Sequence, residues 1–199
     1  MRRRQVAALT AVGMMAMLAA GCRVEENKHG DSKDVKISTP FGGMHVKTNN
    51  ADVMASIGLT AYPGAQAVND DGDDNRSADV DMSFGEFRLR VKKAKYRTGD
   101  SMEKVEAFYR GEMKRFGDVI ACRDDHTVGT PARTLEGLTC DSGHNAHVTV
   151  DDHEGNDKLE LKAGSKQYQH IVEIEPDGSG TKFGLVALDL PKSNDDDGN

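Results

Sequence analysis

Residues 100–117 read D-S-M-E-K-V-E-A-F-Y-R-G-E-M-K-R-F-G, and this stretch decides the fold assignment. Its large apolar side chains recur at steps of three and four, which is the spacing of one helix face. Asp100 followed by Glu103 forms an aspartate version of the capping box, and Gly117 supplies a stop at the C-terminal end. The pattern predicts a helix over residues 101–116 whose apolar stripe packs in a core.

The segments on both sides of this helix alternate apolar and polar residues, which is typical of half-buried strands. The predicted strands before the helix are 35–38, 44–47, 66–68, 80–84 and 87–96. Those after it are 119–123, 135–140, 146–150, 158–162, 169–175 and 182–190. The expected fold class is α+β: an antiparallel sheet packed on one main helix in a ββαββββ-like order.

The N-terminus carries the most specific motif of the chain. Three arginines at positions 2–4 precede an uncharged, mostly apolar stretch at 6–20, and Leu18-Ala19-Ala20-Gly21-Cys22 follows. This segment resembles the lipobox of bacterial lipoprotein precursors. The resemblance implies acylation (palmitate among the chains) of Cys22, with a signal peptide over 1–21 that is cleaved before Cys22. An ordinary export signal or an uncleaved anchor is the alternative.

The amino-acid composition and net charge argue against some classes of partner. The 199 residues carry a net charge of −7, and removal of the leader with its three arginines would make that −10. Such acidity argues against a nucleic-acid partner and against electrostatic adsorption on anionic lipid. Residues 22–34 are polar and predict a flexible tether, 35–190 a single α+β domain, and 191–199 a disordered acidic tail.

Two cysteines remain after Cys22. Cys122 and Cys140 form an even pair in a chain expected to enter an oxidising compartment, so a structural disulfide is predicted. The bridge would close a loop of about 19 residues and contribute roughly 3 kcal/mol.

The middle of the chain is similar to a group of uncharacterised bacterial envelope proteins, including acidobacterial ones. The motifs are Tyr62-Pro63-Gly64-Ala65 and then T-x-D-S-x-x-x-V-x-x-F-Y over residues 98–109. The resemblance implies an envelope location, on the periplasmic face of the inner or outer membrane, and brings no catalytic residue with it.

The densest set of metal-ligating residues is the histidine and acidic cluster between positions 144 and 154. Its candidate ligands are His144, His147, Asp151 and His153. Zinc takes three or four such ligands, but the sequence around Asp151 reads as a loop that breaks the strand register.

The expected function is therefore a lipid-anchored envelope protein that is not an enzyme and needs no cofactor. Its lipid anchor would hold it at the membrane, and its domain would serve as a binding or scaffold module for an unidentified envelope protein or small ligand. The alternative is a metal-binding protein or a metal-dependent hydrolase that uses the 144–154 cluster.

Overall fold

The computed structural model describes residues 22–29, 32–48, 50–68, 77–140 and 158–191. Within these ranges eleven strands form one sheet. The strands are β1 (Arg23–His29), β2 (Ser32–Thr39), β3 (Gly42–Lys47), β4 (Gln66–Ala67), β5 (Ser77–Phe84), β6 (Phe87–Thr98), β7 (Ile120–Arg123), β8 (His126–Thr127), β9 (Leu159–Gly164), β10 (Tyr168–Asp177) and β11 (Gly180–Asp189).

The strand order across the sheet is β1-β2-β3-β5-β6-β11-β10-β9-β7-β8, with β4 paired to β6. Every pairing is antiparallel. The predicted strands 35–38 and 44–47, 80–84 and 87–96, and 169–175 and 182–190 pair as the hairpins β2–β3, β5–β6 and β10–β11. The long strands β6 and β11 pair at the centre and join the N-terminal hairpins to the C-terminal ones.

The helices are α1 (Asn50–Ile57), α2 (Met102–Met113) and a 3₁₀ turn (Lys114–Phe116). Ser101, rather than Asp100, occupies the N-cap position of α2, and it makes no side-chain capping bond. Gly117 ends the helical segment at φ 120°, and its N–H donates to the carbonyl of Lys114. The predicted glycine stop is therefore confirmed, whereas the aspartate capping box is absent.

The predicted α+β class, with one main helix on the sheet in a ββαββββ-like order, is wrong. Strands account for 54% of the structure and helices for 15%, so the fold is a β-rich antiparallel sheet. Two short helices cover only part of one face. The stripe in α2 identified a helix correctly, but a helix of twelve residues does not organise a sheet of this width.

Cross-strand pairing explains a second difference between the predicted and the observed structure, at residues 22–34. Residues 22–34, whose polar composition predicted a flexible tether, contain β1 and the first residues of β2, which pair along their full length. The predicted strand at 135–140 is reduced to a single bridge between Arg133 and Thr139. The predicted strand at 146–150 and all but the first residue of the tail at 191–199 lie outside the described residues.

The main core lies between the two helices and one face of the central strands. Val172 of β10 is paired with Leu185 of β11 and with Leu161 of β9, and all three are fully buried. Val105 and Tyr109 of α2 pack against this row from the helix side. The alternation of the strands thus buries one face of the sheet under the helices.

The two edges of the sheet differ. β1 forms one edge and has seven residues, of which four are charged. β8 forms the other edge and has only two residues. In the part of the chain that the structure describes, no helix is long and apolar enough to cross a membrane.

Candidate functional site

The half of the sheet made of β2, β3, β5 and β6 has a continuous apolar face. On the side away from the helices, Ile37, Met44, Met82 and Leu89 form one row across β2, β3, β5 and β6. The next row contains Val35, Val46, Val80 and Val91, and it continues to Leu188 on β11. All eight side chains on the four strands are half-buried, and we call them the apolar face.

The reverse side of the same strands carries charges. The register aligns Asp34, Lys47, Asp79 and Lys92 in a row of alternating sign. Asp34 also bonds His45 Nε2 over 2.7 Å. Opposite charges on neighbouring strands stabilise a pairing by a few tenths to about 1 kcal/mol each. Because a slip of one residue would exchange the two faces, this alternation fixes the register.

Three exposed phenylalanines stand at one end of this half-sheet. Phe84 and Phe87 pair across the Gly85–Glu86 turn of the β5–β6 hairpin, and their exposed fractions are 50% and 44%. Phe41, in the turn between β2 and β3, is 84% exposed. The Gly85 N–H donates to the Phe41 carbonyl over 3.3 Å, so the two turns are joined. We call Phe41, Phe84 and Phe87 the aromatic end.

Gly42 allows the two hairpins to meet at this end. A Cβ atom on Gly42 would lie 2.0 Å from the Ser83 carbonyl oxygen and 2.8 Å from Cδ1 of Phe84. Both distances are far inside van der Waals contact. The glycine therefore lets β3 approach β5 closely and places the Phe84 ring over the strand.

Cys22 lies at the same end of the sheet. Arg23 is paired with Ser38, so β1 begins near the end of β2, two residues before the turn that carries Phe41. Cys22 is an exposed free cysteine. Four strand spacings of about 4.8 Å separate β1 from β6, so Cys22 is roughly 19 Å across the sheet from the start of the β6 strand. The predicted acylation residue and the aromatic end thus share one end of the sheet.

The residues of the two envelope-protein motifs form a structural network. Tyr62 donates its hydroxyl proton to Asp100 Oδ2 (2.9 Å), and Lys104 Nζ donates to Oδ1 (2.7 Å). The Tyr62 N–H donates to the buried Tyr109 hydroxyl (3.1 Å). The Lys104 and Tyr62 hydrogen bonds lower the pKa of Asp100, and burial raises the pKa of Tyr109. The motifs therefore tie the 62–65 turn to the start and middle of α2.

A half-buried histidine, His170, joins α1 to the sheet. The His170 ring stacks on Phe116 with 3.6 Å between ring centroids, and its Nε2 bonds the Ile57 carbonyl at 3.1 Å. Burial lowers the pKa of His170, and the nearby Arg115 guanidinium adds to this effect. The arrangement is a helix-to-sheet contact in which burial favours the neutral form of the imidazole.

The predicted pairing of Cys122 with Cys140 is present as a disulfide with Cα atoms 5.4 Å apart. Both residues are buried, in a small cluster with Ile120 and Leu138. The bridge attaches the 128–140 loop to β7, and it belongs to the packing of the domain.

The predicted metal ligands His144, His147, Asp151 and His153 lie outside the described residues. Among the residues that are described, no three His, Cys, Asp or Glu side chains come together in a metal-binding group. The hypothesis of a metal site between 144 and 154 therefore stays a prediction.

The aromatic end is the feature that sequence reasoning missed. The alternating pattern places Phe84 and Phe87 in the predicted strands 80–84 and 87–96, and Phe41 lies between the predicted strands 35–38 and 44–47. The position of the aromatic residues in the sequence could have revealed this feature. Hairpin turns are ordinarily polar, yet the F-G-E-F segment at 84–87 places a phenylalanine on each side of a turn. That these turns lie together, and next to Cys22, follows only from the register.

Comparison of the chain with protein-family models, with curated proteins and with solved structures finds no match.

Proposed function

We propose that the protein is a lipid-anchored component of the bacterial cell envelope, attached through acylated Cys22, whose β-rich domain is a non-enzymatic binding or scaffold module. The observation that carries the proposal is the position of Cys22. It is exposed immediately before β1 and shares its end of the sheet with three exposed aromatic side chains.

The geometry suits acylation. A modified cysteine needs an accessible thiol and chain on its N-terminal side that can enter the active site of a peptidase. Cys22 precedes β1 and belongs to no strand, so cleavage before it would leave the β1–β2 pairing intact. Several acyl chains on one residue give stable anchoring, whereas one chain alone is marginal.

The apolar face supports the role as a binding module. Soluble monomers rarely expose a contiguous apolar patch larger than a few hundred Å², and such patches commonly mark interaction sites. Two rows of aliphatic side chains and the aromatic end are continuous on this half of the sheet.

Metabolic labelling with an alkyne-tagged palmitate in a bacterial host tests the anchor. The wild-type chain should take up the label, and its mass spectrum should lack residues 1–21 and carry the mass of the acyl groups. Cys22→Ser should lose the label. Arg23→Gln, next to the modified residue, serves as the matched control and should keep it. Label that persists in Cys22→Ser, or an intact unmodified N-terminus in the wild type, contradicts the proposal.

A further inference from the structure

The aromatic end offers a large apolar area to its surroundings. From the exposed fractions of Phe41, Phe84 and Phe87 and the usual area of a phenylalanine, the three rings expose roughly 350 Å². Within the described residues, the exposed large apolar side chains outside this half of the sheet and the neighbouring β1 are Val128, Leu135 and Tyr168. The aromatic end is therefore where three exposed phenylalanines lie together.

The position of Cys22 identifies what meets this end. The leader ends at residue 21, so the acylated cysteine would bring the β1 start, and with it both hairpin turns, to the bilayer surface. We propose that the aromatic end inserts into the interfacial region of the phospholipid bilayer that holds the acyl chains. This inference rests on the proposed anchor at Cys22 and adds a second, non-covalent attachment to the same membrane.

The distribution of polarity along the strands fits insertion by this end. The apolar face continues from the aromatic end for two further rows, a distance of about 13 Å, which is more than the roughly 5–10 Å by which an apolar face enters the interfacial region. On β6 it ends at Lys93, which lies on the same side of the sheet as Val91. The opposite end of β6 faces the β10–β11 turn at Gly178–Ser179, where the exposed turn residues are polar or glycine.

Lipid is favoured over a protein occupant because acylation places lipid next to this end without any further partner. The contact would be apolar, since the processed chain, with a net charge of −10, gains little from anionic headgroups. An apolar contact of this kind should survive high salt. An electrostatic contact would be screened, because the Debye length at 1 M salt is only about 3 Å.

The chain contains no tryptophan, so single substitutions give an unambiguous fluorescent reporter. The acylated full-length variants Phe41→Trp and Phe87→Trp would be reconstituted in phosphatidylcholine vesicles with and without brominated acyl chains. Leu135→Trp, at another exposed apolar site, is the matched control. We expect at least twofold quenching by brominated lipid and a blue-shifted emission at both positions of the aromatic end, in 0.1 M and 1 M NaCl, and neither effect at position 135.

Several results would overturn the inference. Equal quenching at position 135 would mean that the aromatic end is not selective for lipid. A blue shift without quenching would mean that protein, for example a second copy of this chain, covers the aromatic rings. No change at positions 41 and 87 would mean that this end stays in water.

Mass spectrometry of the same samples separates this inference from the proposed function. Acylated protein whose reporters are not quenched refutes insertion and leaves the anchor standing. Unacylated protein refutes the anchor, and quenching in that sample would show that the aromatic end binds lipid on its own. Far-ultraviolet circular dichroism of each variant, compared with wild type, checks that the sheet is intact.

Discussion

Loss of the Cys122–Cys140 bridge should destabilise the domain by a predictable amount. The two cysteines are 18 positions apart, and both lie buried beside β7. The bridge restricts the unfolded chain by closing this loop, and the loop-closure relation gives about 3 kcal/mol. The main effect therefore lies in the entropy of the unfolded state.

The assay is urea unfolding of the full chain with and without a thiol reductant. For a protein of this size, 3 kcal/mol corresponds to a fall of about 6–12 °C in Tm, and to a fall of about 1–3 M in the urea midpoint. The m value should rise on reduction, since a chain without the cross-link exposes more surface when it unfolds.

The double variant Cys122→Ala/Cys140→Ala should resemble the reduced wild type and should not respond further to reductant. Cys22→Ser keeps the bridge, so it should respond to reductant as the wild type does. A loss of less than about 1 kcal/mol on reduction, with an unchanged m value, would refute the loop-closure argument.

Three further predictions concern single side chains. Tyr109→Phe should cost about 1–3 kcal/mol in urea unfolding because it leaves a backbone N–H without its acceptor, whereas Tyr168→Phe at an exposed site should change stability by less than about 0.5 kcal/mol; equal effects would contradict the assigned bond. The folded pKa of His170 is lowered, so its contribution to stability is present above the unfolded pKa of about 6.5 and is lost as pH falls toward the folded value. His170→Gln should therefore lose less stability than wild type between pH 7.5 and 5. Parallel pH profiles of the two proteins would count against this. Gly42→Ala should destabilise the β3–β5 pairing because its Cβ would overlap a strand carbonyl, and hydrogen exchange should show faster exchange in β3 than in wild type; unchanged exchange there would contradict the close approach.

Local patterns predicted the elements whose periodicity is strong. The apolar stripe of 101–116 identified α2, and the alternation at 80–84 and 87–96 identified the β5–β6 hairpin. The parity of the remaining cysteines, in a chain expected to be exported, predicted their pairing. Each of these signals is contained in a window of a few residues or in a simple count.

The fold class failed where structure depends on distant partners. Residues 23–29 have no apolar periodicity, and they form β1 because β2 offers a paired edge. Strand propensity reflects how side chains pack against neighbouring strands, so the sequence of a polar segment alone does little to predict that it will pair. The candidate site has the same limitation: Cys22, Phe41 and Phe87 are distant in sequence and come to one end only through the antiparallel register.

The composition of the sheet edges has a consequence for the membrane-anchored form proposed above, in which copies would be concentrated in two dimensions. Anchored neighbours would share an orientation, so strand edges at equal height could join one molecule to the next and grow into fibrils. Strand addition beside β1 would have to desolvate its charged side chains, and β8 is too short to template a further strand. Among the described strands, neither edge therefore offers a ready template for joining one anchored copy to the next.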